Sequence, residues 1–252
     1  AIHPEAPDNR AYDFGIGDEE ATNAAFDAAA KTVKPEIGDN RIIVNSMEPR
    51  GAFAEWQDGR IHLAFGGQGV WGMKEELARA YHMERDQIHT TNPDVGGGFG
   101  GKLQQTPEEM IAFAVARRLG RPVKFTETRS ESLMTAHHGR DQWQKLTMSA
   151  EKDGTVTGLK VELLADLGAY VAIVGGGVPV LGAFMFNSIY KFPAYQFNCQ
   201  TVLTNKTWTD AYRGAGRPEA TFAIERLMDE LGHHSDPGSR LGYLNAQMLL
   251  AV

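Results

Sequence analysis

Apolar and polar residues alternate in two paired stretches of the chain. Residues 52–56 and 61–65 flank Asp58-Gly59, and residues 143–150 and 156–164 flank Asp153-Gly154. A period of two marks half-buried strands, and Asp-Gly favours the left-handed backbone of a tight turn. Two antiparallel hairpins are therefore predicted, the first with a type I′ turn. Shorter strands are read at 41–45, 87–95, 123–127 and 195–203. Helices are read at 18–32 with Asp18 as N-cap, at 69–81, at 107–119 and at 221–231. In the last, Phe222, Ile224, Leu227, Met228 and Leu231 recur at helical spacing. The helix 107–119 has the clearest ends: Thr106 as N-cap, Pro107 in the first turn, Glu109 at the capping-box position and Gly120 as C-cap. Strands and helices mix without strict alternation. The hairpins demand antiparallel pairing, so the prediction is α+β, with mixed sheets and packed helices, over a doubly wound parallel sheet.

Composition narrows the function classes. With 252 residues, 42% hydrophobic and 23% charged, the chain can bury a sizeable core and is not globally disordered. The most apolar run, 169–186, is broken by Gly175, Gly176, Gly177 and Pro179, so no membrane span is expected. A net charge of −7 argues against nucleic acid as partner. The single cysteine, Cys199, leaves no disulfide framework and no all-cysteine metal site. It fits a reducing, cytoplasmic setting and leaves a periplasmic one open. Glycine is in excess, 28 residues where ~7% would be usual. The glycines cluster at 66–72, 96–101, 175–177 and 214–216, which suggests several segments lining one ligand. The proline-rich start reads as a linker over 1–17, as of a chain beginning mid-protein. A single domain is expected over 18–232, and 233–252 differs in character, as a tail that is native, non-native or truncated.

Residues 94–102 read DVGGGFGGK. Gly96, Gly98 and Gly101 satisfy the dinucleotide pattern G-x-G-x-x-G, and Gly96 to Lys102 satisfies most of a P-loop. The P-loop reading lacks its magnesium-binding hydroxyl, because Leu103 follows the lysine. The dinucleotide reading needs a helix opening inside the loop, whereas the helix start is Thr106-Pro107, five residues past Gly101. A nicotinamide-dependent dehydrogenase built on this loop stays open, and Gly98→Val tests it. A bare turn leaves Phe99, an apolar ring amid five glycines, without a purpose.

DVGGGFGGK, FGGQG at 65–69 and AYRGAGRPE at 211–219 together resemble the large molybdenum-binding subunit of the xanthine oxidase family. That family includes aldehyde oxidases, aerobic carbon monoxide dehydrogenases and N-heterocycle hydroxylases. NSMEPRGAFAEW at 45–56, RRLGRPVKFTETRSE at 117–131 and HHGRDQ at 137–142 also match. The resemblance implies a molybdopterin-type cofactor, in its cytosine dinucleotide form, whose pterin dithiolene carries the metal without a protein side-chain ligand. The adjacent pairs His137-His138 and His233-His234 are read as surface or loop residues. By the same resemblance Gln68 contacts an oxygen ligand of molybdenum, an amide donating without bringing charge. Gly98, Phe99 and Gly100 form the loop beside the metal, with backbone N–H groups facing an oxo ligand. Arg213 and Gly214 belong to a second site loop. Arg140 would orient substrate, and Ala215 would line its pocket. Alternatively, Glu131 and Asp141 pair with Arg129 and Arg140 as a structural network. Gly214 stands where copper-binding carbon monoxide dehydrogenases carry cysteine, which makes such a subunit a lesser alternative. Leu103 and Ala215 replace the glutamate and phenylalanine of xanthine-specific enzymes, so an aldehyde or another N-heterocycle is expected. The family's general-base glutamate has no counterpart here. The resemblance assigns it to remaining domains of the large subunit, and assigns electron transfer to iron–sulfur and FAD-containing partner subunits. The isolated chain is then expected to be inactive. A non-catalytic or degenerate cofactor-binding module is the alternative from another class.

Overall fold

A computed structural model describes residues 1–187 and 190–233. They fall into two compact units. One is discontinuous, Ala1–Ile42 with the described residues from His138 onward, and the other, Ile43–His137, lies between these two stretches in sequence.

The discontinuous unit is built on a six-stranded mixed sheet. Its order is Arg10–Gly17, Ala194–Val202, Val156–Asp166, Gln142–Ala150, Lys31–Val33, with Glu36–Asp39 also pairing Gln142–Ala150. All neighbours are antiparallel except Val156–Asp166 and Ala194–Val202, which run parallel. Alternation in Val156–Asp166 sends Leu159, Val161, Leu163 and Ala165 into the core, with Glu162 and Leu164 on the other face. Helix Arg217–His233 lays Ile224, Leu227, Met228 and Leu231 against that core. Each such side chain contributes roughly 1.5–3 kcal/mol on burial. Phe222, at the same helical spacing, stays exposed.

The inserted unit is a four-stranded sheet, Ile88–Thr91, Arg60–Phe65, Gly51–Gln57, Val123–Thr126. Ile88–Thr91 runs parallel to Arg60–Phe65, as the intervening helix Val70–Tyr81 requires. That helix and Pro107–Leu119 bury Met73, Leu77 and Phe113 against Ile61, Leu63 and Ile88. Thus the fold is the expected mixed α+β arrangement.

The first hairpin has the predicted turn: Gln57 pairs with Arg60, and Asp58 and Gly59 both have positive φ, 52° and 77°. The second hairpin turns differently. Glu151 N–H donates to Thr155 O and Gly154 N–H to Glu151 O, so three residues form the loop and the register shifts at Ser149/Ala150.

Several expectations are corrected. Residues 10–17, expected within a linker, are the edge strand Arg10–Gly17, because Phe14 and Ile16 alternate into the core cluster. The first helix, Glu19–Asp27, stops short of 32, and β-branched Thr32 and Val33 pair with the strand Gln142–Ala150 instead. A helix Arg129–Thr135 lies where none was expected, opened by a Thr128–Glu131 capping box. Within the glycine-broken run 169–186, helix Gly177–Ala183 buries Val178 and Ala183, while Val171, Ile173 and Phe184 are exposed. His137, read as a surface or loop residue, lies outside helix and strand and is buried. The expected tail over 233–252 and His234 lie outside the described residues, apart from the backbone of His233, which ends the last helix. Among the described residues, no helix is long and apolar enough to cross a membrane.

Candidate functional site

In the inserted unit, Gln68 lies in the short connection between the strand Arg60–Phe65 and the helix Val70–Tyr81. Its backbone N–H donates to Lys102 O at 3.0 Å. Its side-chain Oε1 accepts two backbone N–H groups, Gly100 at 2.8 Å and Lys102 at 3.1 Å. With the oxygen held from one side, Nε2 is the amide's remaining donor, on an exposed residue. A Cβ added to Gly98 would lie 2.5 Å from Gln68 Oε1, so only glycine lets the loop pack on that amide. The family resemblance implied that the Gly100 N–H faces an oxo ligand. The structure directs that N–H to Gln68, and no acceptor among the described residues meets the N–H of Gly97 or Gly98. Phe99 is exposed with φ 54°.

The loop is closed beneath by charge. Lys102 Nζ meets Glu48 Oε2 at 2.6 Å, and the same oxygen accepts Gly96 N–H at 2.9 Å. The hydrogen bond from Lys102 holds the Glu48 carboxyl below its ordinary pKa, against the opposing effect of burial. Arg50 donates to Gly101 O at 2.8 Å and takes Glu127 as its carboxylate partner.

The discontinuous unit carries the second set of expected residues. Arg140 donates from Nη1 to Glu219 Oε1 at 2.9 Å and from Nη2 to Arg213 O at 3.1 Å, and its guanidinium lies over the Tyr212 ring at 4.8 Å. Glu219, 1% exposed, accepts Gly216 N–H on its other oxygen at 3.0 Å. Arg140 therefore fixes the 211–216 loop through Glu219 and the Arg213 carbonyl. Neither of the pairings read as a structural network forms: Asp141 joins Arg41 and Lys206, Arg129 donates to Asn45 and to Met47 O, and Glu131 caps its own helix. Asp39, in the same unit, has its pKa raised to about 6, first by burial and then by Glu219, with Arg140 opposing. Arg213 is exposed, Gly214 has φ 104°, and Ala215 has φ 44° and donates its N–H to Tyr212 O at 2.8 Å.

Among the described residues, seven other than glycine have positive φ. Asn9, Asp58 and His82 sit in turns or at a helix end. The others are Phe99, Arg140, Asp141 and Ala215, all within the motifs that the sequence singled out. Strained backbone of this kind costs of order 1–3 kcal/mol per residue and persists where its surroundings over-determine it, as at ligand sites.

The chain matches the family model described as "Molybdopterin cofactor-binding domain" over residues 2–236. It belongs to that family. It is 31% identical over 230 residues to the 6-hydroxypseudooxynicotine dehydrogenase complex subunit gamma of Paenarthrobacter nicotinovorans, covering 89% of this chain and 29% of that one. It is 30% identical to the carbon monoxide dehydrogenase large chain of Hydrogenophaga pseudoflava, covering 90% of this chain and 29% of that one. The crystal structure of quinoline 2-oxidoreductase from Pseudomonas putida 86 superimposes with a TM-score of 0.82 at 30% identity, over 90% of this chain and 29% of that chain. The chain thus spans about 29% of the length of these relatives. Its relatives are oxidoreductases of the xanthine dehydrogenase type, several of them subunits of larger complexes.

For a molybdopterin cofactor-binding domain, the donors present suit the ligand. Glycine-permitted N–H groups and one neutral amide form a cradle for oxygen atoms. Among the described residues no group of three or more His, Cys, Asp or Glu side chains could hold a metal ion. The P-loop alternative loses its remaining support, since the Lys102 side chain is 4% exposed and ion-paired within the protein. Three residues escaped the sequence reading: Glu48, Lys102 as an ion-paired side chain, and Glu219. Glu48 and Glu219 lie inside the matching segments 45–56 and 211–219, yet nothing in a linear pattern shows which charge a carboxylate will meet.

Proposed function

We propose that this chain contributes to the active site of a molybdenum hydroxylase, which oxidises an aldehyde or an N-heterocycle with water as oxygen source. The observation that carries the reading is the Gln68 amide, fixed through its oxygen by Gly100 and Lys102, on an exposed residue beside the glycine loop. The bound cofactor, in its cytosine dinucleotide form, supplies two-electron redox chemistry at molybdenum. Gln68 and the N–H groups of Gly97 and Gly98 bind and orient its oxygen ligands, with Phe99 and Gly100 shaping that loop. Such fixed donors need little reorganisation when charge develops. Arg213 offers a guanidinium to negative charge, on a backbone fixed at Gly214. Arg140 acts as a positioning residue for that second loop, and Ala215 leaves room for substrate. The general base lies on a further domain, and iron–sulfur and FAD-containing partner subunits accept the electrons, so the isolated chain is inactive.

The test is elemental mass spectrometry on the protein from its native host, with nucleotide released by acid. Near-stoichiometric molybdenum with cytidine monophosphate is expected, and Gln68→Ala should lower turnover at least tenfold. A protein without molybdenum and without nucleotide overturns the reading in favour of a degenerate module.

A further inference from the structure

The ion pair beneath the glycine loop has no part in the reading above, yet it touches every element of that site within the inserted unit. Glu48 and Lys102 meet at 2.6 Å, with the lysine side chain 4% exposed and the glutamate 40%. Glu48 binds the first end of the loop twice: Oε2 accepts Gly96 N–H at 2.9 Å and its own N–H donates to Gly96 O at 3.2 Å. Lys102 is the other end of the loop. Its backbone N–H and C=O both bond Gln68, on the side-chain oxygen and the main-chain N–H respectively. Five residues separate Gly96 from Lys102, and one salt bridge closes that span. The packing leaves no slack, because a Cβ on Gly96 would lie 2.5 Å from Glu48 Cβ and one on Gly66 would lie 3.2 Å from Glu48 Oε2.

We propose that Glu48 and Lys102 form a positioning latch that closes the 96–102 loop and so presents the Gln68 amide and the loop N–H groups in a ready-made arrangement. What the loop presents them to rests on the molybdenum reading, whereas the latch itself does not. A buried ammonium needs a partner, and this partner lies in a different segment of the chain, 54 residues away. The pair therefore converts a glycine-rich stretch with high intrinsic freedom into one conformation, which reduces the ordering that ligand binding must accomplish. A lysine turned outward to bind phosphate would leave Glu48 solvated and the Gly96 end unclosed.

The test uses Glu48→Gln, Lys102→Met and Lys102→Arg in the holoenzyme. Amide hydrogen exchange is followed over 94–103, with the helix Pro107–Leu119 as internal control, beside molybdenum content, kcat and KM. Exchange over 94–103 is expected to rise at least tenfold in Glu48→Gln and Lys102→Met while the control helix is unchanged. In the molybdenum-loaded fraction kcat should fall at least tenfold with KM moving less than threefold, and Lys102→Arg should recover part of both. A purely structural role would speed exchange in loop and helix together and lower thermal stability without splitting kcat from KM. Glu48→Gln, nearly isosteric and partly exposed, decides the matter if Lys102→Met does not fold. Unchanged exchange over 94–103 in Glu48→Gln overturns the latch. Absence of molybdenum from the wild-type protein overturns the functional reading instead, and the exchange comparison still decides the latch.

Discussion

In the inserted unit the loop 94–102 is organised through its N–H groups. Carboxylate and amide oxygens of Glu48 and Gln68 accept from Gly96, Gly100 and Lys102, and glycine supplies most of the unusual backbone. In the discontinuous unit the loop 211–216 is organised from the opposite chemistry. A guanidinium donates to the Arg213 carbonyl and to Glu219, and positive φ falls on Arg140 and Ala215 as well as on glycine. The first arrangement leaves the N–H groups of Gly97 and Gly98 without an acceptor among the described residues. The second consumes a buried charge pair to hold strained residues still. Both loops rest on an ion pair, but the first gathers backbone N–H groups onto a carboxylate and a close-packed amide, whereas in the second a guanidinium also holds a backbone carbonyl.

That contrast can be broken most forcefully at Glu219. Glu219→Ala leaves Arg140, whose side chain is 11% exposed, without its carboxylate. Removing one member of a buried pair costs about 3–5 kcal/mol. Urea unfolding should show a loss of that size, and a loss below about 1 kcal/mol would mean that the pair does not secure the loop. The inserted unit has a charge of its own to exploit. Burial raises the Glu109 pKa from 4.5 to about 7, partly offset by the hydrogen bond from Thr106. The folded protein then binds more protons than the unfolded chain between those values, so stability falls as pH rises from 4.5 towards 7 and levels off above. Thermal unfolding across this range should show a decline on the order of 2–3 kcal/mol at 1.4 kcal/mol per pKa unit. Glu109→Gln should flatten that slope; an unchanged slope would assign it to other groups. Asp39 adds a weaker dependence of the same sign in the discontinuous unit, between 3.8 and about 6.

Gly98→Ala sharpens the comparison at the amide. The new methyl displaces Gln68 Oε1 from two N–H groups, a cost of about 1–2 kcal/mol at net values per hydrogen bond. Molybdenum content should fall at least tenfold while the sheet of the inserted unit keeps its exchange protection. Retained molybdenum would mean that the amide is not a cofactor contact. The smallest effect lies away from both loops. Asp18 Oδ1 accepts Ala21 N–H at 2.9 Å, and Asp18→Ala should cost ~1 kcal/mol with no change in molybdenum content.

The legible parts of the fold share one property, that their causes are local. Thr106, Pro107, Glu109 and Gly120 bound the helix Pro107–Leu119, with Glu109 accepting the Thr106 N–H at 3.0 Å and Gly120 at φ 61°. Asp58-Gly59 sets its own turn. Two misses were also legible in retrospect. Thr128 with Glu131 is a capping box whose members are three positions apart, and Tyr12, Phe14 and Ile16 alternate at period two. The site divides in the same way. Gln68, Phe99 and Gly100 come together where the motifs placed them in one loop system, whereas the engagement of Arg140 with Glu219 joins positions 79 residues apart.

By itself the sequence determined the mixed strand and helix content, the hairpins, the helix caps and the family, because each follows from spacing or from a motif a few residues long. Only the tertiary structure decided that Val156–Asp166 runs parallel to Ala194–Val202, that residues 43–137 form an inserted unit, that Lys102 turns inward, and that Arg140 serves a loop. The reason is that long-range pairing and the choice of a charge's partner depend on which low-dielectric surroundings the folded chain creates. A buried ammonium or guanidinium must find a carboxylate there, and distance along the chain says nothing of which one it will be.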